Sequence, residues 1–528
     1  MIVDLERDAT LPSFAAEVCI VGAGAAGMVL AAELVRQGRR VLLLESGGAV
    51  IETSAQRLNA CSYVGQSRKI VSPGRFRALG GTTTVWGGQV LELCEEDFAV
   101  RSWVPGSGWP FSKQALQPYY ERALVAEGLS QVSRSDHEVW QQMKVPAPEL
   151  GGELETYFTR WGPEPNFARL YRDALDSSNL CVVLHATAMA MLREQNRSRI
   201  GGVRCRTMSG REHIFSAMQY VLCLGTIETV RFLLQPTPDG RVPLWNQSGL
   251  LGNYFQSHID YNAARVSSKD APRLRRWFAN AYLRGHKYHP KFRLPLGAQQ
   301  QEQILNIAGS ITCINPAETE LRRVKSLAVD AMRGRWSRIK PADMPLALRQ
   351  FPTLLKLGYG YRMEHRAYWP AKSNFWLRVH CEQEPLSQNR ITLTKDRDAV
   401  GLFQAQVEWR VSTLEWKTIR NFTERVKRTL VGLGATGTVA QPELESEEGF
   451  RSVTFDNSHH DMGGTRMSDN AFDGVVDADL RLHGVENAYV CSASVFPTGG
   501  FSNPTHTLVA LAVRLADHLI RRSTFDEM

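Results

Sequence analysis

Val18-Cys-Ile-Val-Gly22-Ala-Gly-Ala-Ala-Gly27 and, further on, Arg40-Val-Leu-Leu-Leu-Glu45 are the two runs whose reading decides the fold. The first is a short apolar strand candidate that ends in a Gly-x-Gly-x-x-Gly pattern. From Gly27 the apolar positions Met28, Leu30, Ala31, Leu34 and Val35 keep a helical rhythm until Gly38. The second run is a buried-strand candidate closed by an acid. Strand, Gly-rich turn, helix and strand together make a unit of about 30 residues, the opening of a parallel, doubly wound sheet. Gly22, Gly24 and Gly27 permit a tight turn, approach of backbone to a pyrophosphate and close packing of helix on strand; Ala25 and Ala26 stand at the helix start, where the phosphate would sit. Glu45 is placed to accept hydrogen bonds from ribose hydroxyls and would repel a second phosphate there, which disfavours NADP.

Cys181–Leu192, Tyr220–Gly225 and Asn487–Pro497 return to the same buried-strand style, so the nucleotide-binding domain is expected to be discontinuous. The expected layout gives residues 1–100, 166–260 and 456–528 to that Rossmann-like domain, 101–165 to a connecting or cap segment, and 261–455 to a second domain. The second domain is predicted to be α+β with an antiparallel sheet, carrying the strand-like NFWLRVHCEQEP and RITLTKD stretches; the whole chain is then of the α/β class. Within it, residues 321–372 hold twelve Lys or Arg against Asp330, Asp343 and Glu364, interleaved with Trp336, Phe351, Tyr359, Tyr361, Tyr368 and Trp369. That composition fits basic amphipathic helices, read as a solvated face, a membrane-surface or anionic docking face, or an interface with another subunit.

The 528 residues carry 62 Lys or Arg against 54 Asp or Glu, a formal charge of +8, which is too modest for a chain of this length to point to nucleic acid. Nine scattered cysteines without a Cys-x-x-Cys pair read as reduced thiols, with no metal site. Asp4, Glu6 and Asp8 stand where a secretory signal would need a basic start, and the longest apolar run, Val18–Ala32, is too short to span a bilayer. The expectation is a cytoplasmic protein, with peripheral contact at the inner membrane surface through residues 321–372 as an extension of it.

Arg77-Ala-Leu-Gly-Gly-Thr-Thr-Thr-Val-Trp-Gly-Gly88 puts Gly80, Gly81, Thr84, Trp86, Gly87 and Gly88 where an ordinary loop would carry charge, and such a segment can line a planar ligand. Near the C-terminus, His460-Asp-Met-Gly-Gly-Thr-Arg-Met467 and Gly499-Gly-Phe-Ser-Asn-Pro-Thr-His-Thr507 flank the last strand candidate, ahead of an apolar helix from Leu508 to Ile520.

With the N-terminal fingerprint, these residues resemble the glucose-methanol-choline (GMC) family of FAD-dependent oxidoreductases, in which His-x-x-Gly-x-x-Arg-Met marks the catalytic histidine. His460 matches that position, and Asn503 matches the second catalytic residue of the pyranose oxidase-like branch. The resemblance is close over roughly the first 100 and last 75 residues. It implies oxidation of an alcohol carbon, on a sugar or glycoside, by hydride transfer to flavin N5 with His460 as base and Asn503 as its partner. It also implies cofactor contacts at Ala188, Cys223, Gly225, Ala493 and Thr505. Val85 stands where fungal pyranose oxidases carry the histidine that bonds to flavin, so the FAD is expected to be non-covalent. Gly87 replaces a threonine that assists reaction with oxygen, so a dehydrogenase passing electrons to a quinone or carrier is favoured over an oxidase using O2. The competing expectations are a photodecarboxylase-like lyase on the same fold and a non-catalytic FAD scaffold.

Overall fold

The computed structural model describes residues 1–8, 13–69, 74–194, 198–332, 334–338, 340–370 and 372–526. In chain order, the elements that position the site are β1 (Ile2–Asp4), β2 (Ala16–Val21), α1 (Ala25–Arg36), β3 (Val41–Leu44), β4 (Glu155–Trp161), β5 (Leu180–Leu184), β6 (Ala217–Leu222), α2 (Thr226–Leu234), β7 (Gln256–Val266), β8 (His286–Arg293), β9 (Ile307–Ile314), α3 (Glu318–Met332), α4 (Met344–Arg362), β10 (Asn374–Cys381), α5 (Thr413–Gly432), β11 (Phe455–Met462), β12 (Ala488–Val490) and α6 (Pro504–Asp526).

Strands β1-β5-β3-β2-β6-β12 form a six-stranded sheet in that order, and every pairing in it is parallel. Val18, Cys19, Ile20 and Val21 of β2 and all of β3 are buried; a parallel sheet covered on both faces needs such continuous apolar strands. Gly38 ends α1 in the left-handed region at φ +78°. The Rossmann-like half expected from the first forty-odd residues is therefore present, and its later strands come from distant parts of the chain.

One expected strand is two. The apolar run from Cys181 breaks at His185, which lies at φ +57°. Residues 180–184 join the parallel sheet, while Thr187–Arg193 pairs with Ile200–Arg206 in a separate three-stranded antiparallel sheet. An unbroken apolar run hides such a corner, because both strands are buried and only the backbone turn separates them.

The second large sheet runs β11-β7-β10-β9-β8-β4, antiparallel throughout, with short strands at Arg68–Lys69 and Gln89–Val90 closing its edges. β4 lies in the stretch expected to be a connecting segment, and β7 and β11 straddle the expected edges at 260/261 and 455/456. The two faces of this sheet differ. Ile307, Ile311, Leu377, Val379 and Cys381 point to α5, whose Ile419, Phe422, Val426 and Leu430 are fully buried. Ser412 and Glu415 cap α5 reciprocally, with the Leu414 N–H donating to Ser412 Oγ at 3.1 Å. A Cβ at Gly309 would lie 2.7 Å from the Phe422 ring, so a glycine is what lets β9 press against the helix.

The opposite face is polar. Asp260 pairs with His380 in register, Ala308 with both His380 and Arg293, Lys291 with Tyr157 and His289 with Thr159, so these side chains share one side. Tyr157 stacks near Phe501 at 5.5 Å, which turns this face toward the loop that precedes α6.

A buried network ties the two halves together. Arg101 donates to both oxygens of Glu382, at 2.7 and 2.5 Å, with side chains 2% and 0% exposed. Glu382 also accepts from the Asn306 backbone N–H (3.0 Å), and Asn306 Nδ2 donates to Asp97 (2.8 Å). Thr498 Oγ1 donates to the Asp97 carbonyl at 2.6 Å and Ser502 Oγ to the Glu92 carbonyl at 2.7 Å, which pins the loop before α6. Glu382→Ala leaves the Arg101 charge buried and unpaired; we expect a loss of about 3–5 kcal/mol, read as a lowered denaturant midpoint.

Candidate active site

Two local backbone features aim the chemistry-bearing side chains. β7 and β11 pair Ser257 with Asp461 and Ile259 with Asn457, so β11 carries two extra residues between these points. His459 takes up the distortion at φ +57°, and bulges of this kind re-aim side chains beside functional sites. His460 is thereby turned away from His459 and toward the start of α6. Pro504 opens α6, Asn503 precedes it, and its Nδ2 lies 2.9 Å from His460 Nε2.

The other imidazole nitrogen of His460, Nδ1, is 2.9 Å from Nδ1 of His258, with the two rings 5.0 Å apart and nearly perpendicular. His258 is 2% exposed, and burial pushes its imidazolium down to about 4 against the opposing pull of the Gly499 backbone. His460 is held well below the ordinary histidine range, first by burial and then by His258, His380 and Lys291. Both rings are therefore neutral at pH 7, and each carries a single N–H. Burial lowers Lys291 to about 8, with Asp260 opposing the shift. His380 lies 4.0 Å from Asp260, which also accepts two hydrogen bonds from Arg378 at 2.7 and 2.6 Å.

Beside this centre runs a cleft with about 1240 Å³ between protein atoms, its open mouth included. Gly22, Gly24, Ala25, Ala26, Glu45 and Ser46 line one end; Gly81, Trp86, Cys223, Gly225, Ala493 and Thr505 line the rest, with His459 and Asp461 from β11. Glu45 is nearly buried and accepts from the Ala23 and Gly47 N–H groups at 3.0 and 2.8 Å. Burial raises its pKa while these two N–H groups oppose the shift.

Other expected cofactor residues stand behind the lining. A Cβ on Gly27 would lie 1.9 Å from the Gly22 carbonyl oxygen, so that glycine serves helix–strand packing. Gly80 (φ +91°) packs on Ala168 and Asn166, Thr84 donates to the Gly81 carbonyl at 2.8 Å, and the Gly88 carbonyl accepts from Gly162 at 2.8 Å. Gly87 is exposed and faces Trp161, and Ala188 borders a separate small cavity behind Ser46. These positions shape the walls of the cleft instead of touching its space.

Three groups in the cleft were not anticipated. Arg75 and Arg77 donate to the two oxygens of Glu228 at 2.9 and 2.5 Å, and Arg231 donates at 3.0 Å. Burial works against the Glu228 charge, but Arg77, Arg231 and Arg75 hold its carboxyl down to about 2. The partnership of Glu228 with Arg75 and Arg77, some 150 residues earlier, leaves no local signal in the sequence.

Residues 385–512 match the family model described as GMC oxidoreductase, and residues 20–52 match the one described as NAD(P)-binding Rossmann-like domain. The chain carries a GMC oxidoreductase domain. Among proteins similar to this chain, 2-methyl-1,2-propanediol dehydrogenase of Mycolicibacterium austroafricanum is 24% identical, over 96% of this chain and 95% of the relative. Paromamine 6'-oxidase of Streptomyces fradiae is also 24% identical, over 96% and 92%. The fold matches that of pyridoxine 4-oxidase from Mesorbium loti with a TM-score of 0.56 and 16% identity, over 96% of this chain and 99% of that one. The matched family domain on this fold implies FAD as the cofactor.

The residues present fit that group. A Cβ built at Gly24 meets nothing within 4 Å, nor does one at Gly225, so backbone borders open space where α1 presents its N-terminus to a pyrophosphate. Glu45 and Ser46 would hold the ribose end, and Thr505 with the start of α6 would face the flavin end. Gly24 sits at φ −80°, which alanine adopts freely. Gly24→Ala is therefore expected to leave the melting temperature of the flavin-free protein unchanged while lowering FAD affinity at least about tenfold. Flavin absorbance after gel filtration measures it.

Proposed function

We propose that this protein oxidises an alcohol carbon on a sugar-like, polyhydroxylated substrate, with His460 as base, Asn503 as its partner and non-covalently bound FAD. The contact that carries this reading is Asn503 Nδ2 to His460 Nε2 at 2.9 Å, beside the cleft and before the polar face of the antiparallel sheet. FAD, when bound, supplies the hydride acceptor for such an oxidation. The residues of the chain account for the proton.

His460 Nδ1 and His258 Nδ1 face each other, so one must donate. With the His258 proton on Nε2, beside the Gly499 backbone, His258 Nδ1 accepts from His460 Nδ1–H. His460 Nε2 then carries a lone pair, which the Asn503 amide occupies in the absence of substrate. A substrate hydroxyl that displaces the Asn503 amide from Nε2 donates its proton there and accepts from the displaced amide, so negative charge developing on oxygen is stabilised where it forms. His258 is a positioning residue in this scheme.

Lys291, His380, Asp260, Arg378 and Thr159 form a wall of donors and acceptors suited to several hydroxyls. Val85, about half exposed, offers no group for a covalent bond to flavin. A glycine at position 87, in place of a hydroxyl, favours a dehydrogenase over an oxidase, with a quinone or carrier as acceptor. The likeness of the His460 and Asn503 pair to that of the pyranose oxidase-like branch supports a sugar-like substrate.

The experiment is anaerobic absorbance of the flavin-loaded protein mixed with free, phosphorylated and lipid-linked sugars and simple alcohols. Bleaching by a sugar that slows by about 10²–10⁴-fold in His460→Ala supports the reading; bleaching unaffected by that change, or by no alcohol at all, refutes it. Because the His460 pKa is lowered from about 6.5, the base stays unprotonated as pH falls below that value, and the reduction rate should hold on the acid side until the lowered pKa is reached. His258→Ala removes a group that depresses the His460 pKa, so the acid limb should move upward, with KM little changed.

A further inference from the structure

Helix α4 packs on α3 with only one side. Gln350 points inward to Glu320, which accepts its hydrogen bond at 2.6 Å, and Leu357 meets Leu321 and Tyr368 around a small cavity. Gly360 presses on the Arg366 backbone, where a Cβ would lie 2.8 Å from the carbonyl oxygen. The other side carries Met344, Leu348, Phe351, Leu355 and Tyr359, at spacings that place them on one stripe, and each is between 57% and 70% exposed. Met363, about one helical turn beyond Tyr359, extends the stripe, and Trp336, ahead of α4 in the chain, is likewise 65% exposed.

The charge around this stripe has one sign. The nineteen residues of α4 include no Asp or Glu, and Arg349, Lys356 and Arg362 are exposed beside the apolar row. The acids at the two ends are engaged: Asp343 pairs with Arg323 at 2.8 Å and Glu364 with Arg275 at 2.5 Å. Arg349 pairs with Glu320 of α3, and Lys356 and Arg362 add positive charge along the outer face.

We propose that the exposed face of α4 docks on an anionic lipid bilayer, lying in the interface with Leu348, Phe351 and Leu355 among the acyl chains and Lys356 and Arg362 at the headgroups. Apolar side chains of this size on a basic, acid-free helix are what interfacial helices present, and Tyr359 and Trp336 suit the headgroup depth. No helix of the described residues is long and apolar enough to cross a membrane, so the contact is peripheral. A basic rim favours phosphate-bearing lipid over an apolar protein groove and repels a second copy of the same face. The inference stands apart from the chemistry assigned to His460.

The test is co-sedimentation of the flavin-loaded, full-length protein with vesicles of phosphatidylcholine alone and of phosphatidylcholine containing phosphatidylglycerol. Binding to the anionic vesicles is expected to exceed binding to the zwitterionic ones at least tenfold, and to fall with added salt. The double variant Leu348→Glu, Leu355→Glu changes only exposed side chains and should abolish binding, while Lys356→Ala with Arg362→Ala should weaken it on anionic vesicles alone. Flavin content and the circular dichroism spectrum report whether each variant is folded. Equal binding to both vesicle types, undiminished binding by the double Glu variant, or no binding at all overturns the proposal. So does concentration-dependent self-association lost in the double Glu variant, which would make the face a contact between copies.

Discussion

The Arg101–Glu382 ion pair is the constraint on which the two halves of the molecule depend. It joins the loop after Asp97 to the end of β10, and through Asn306 it reaches Asp97, whose carbonyl holds Thr498. The charges are removed from water, so the pair contributes less to stability than to geometry: its members tolerate each other and nothing else in that position. Burial, followed by the Glu382 and Glu96 charges, raises the Asp97 carboxyl to about 7, because away from water its negative form is disfavoured beside other carboxylates. A joint of this kind fixes where the polar sheet face stands relative to the cleft.

Once that relation is fixed, the site follows from sidedness. The antiparallel sheet has an apolar side that needs α5 and a polar side that cannot be buried against another apolar layer. A polar ligand would resolve the mismatch on the polar side. The same logic separates α4 from α5: α5 buries its apolar face on the sheet, whereas α4 keeps much of its own outside.

The nucleotide-binding start was legible in the sequence because its signal is local: strand, glycines, helix and acid fall within a few tens of residues, and spacing alone constrains the geometry. The pairing of His460 with Asn503 was legible only through the family pattern, since nothing in the intervening residues says that a β-bulge turns one toward the other. His258 illustrates the limit. It is one of several histidines in the sequence without a pattern, and it meets His460 only because β7 and β11 are neighbours in a sheet whose order cannot be read from the chain. The corner at His185 escapes for the reverse reason: the local apolarity is real, but the backbone turns where composition does not record it. Gly27 shows the local signal at its strongest: close packing of helix on strand is what the third glycine of the fingerprint permits, and a Cβ there would lie 1.9 Å from the Gly22 carbonyl oxygen.

The order of parts along the chain has a consequence for biosynthesis. The glycine-rich turn of the cleft is made long before β11, β12 and α6, and β12 pairs with β6 at the rim of the parallel sheet. A nascent chain can present the glycine-rich turn long before His460 and Asn503 exist to stand beside it. The two parts of the site are thus separated in time, and the contact between those two side chains cannot form until β11 and the start of α6 have both been made.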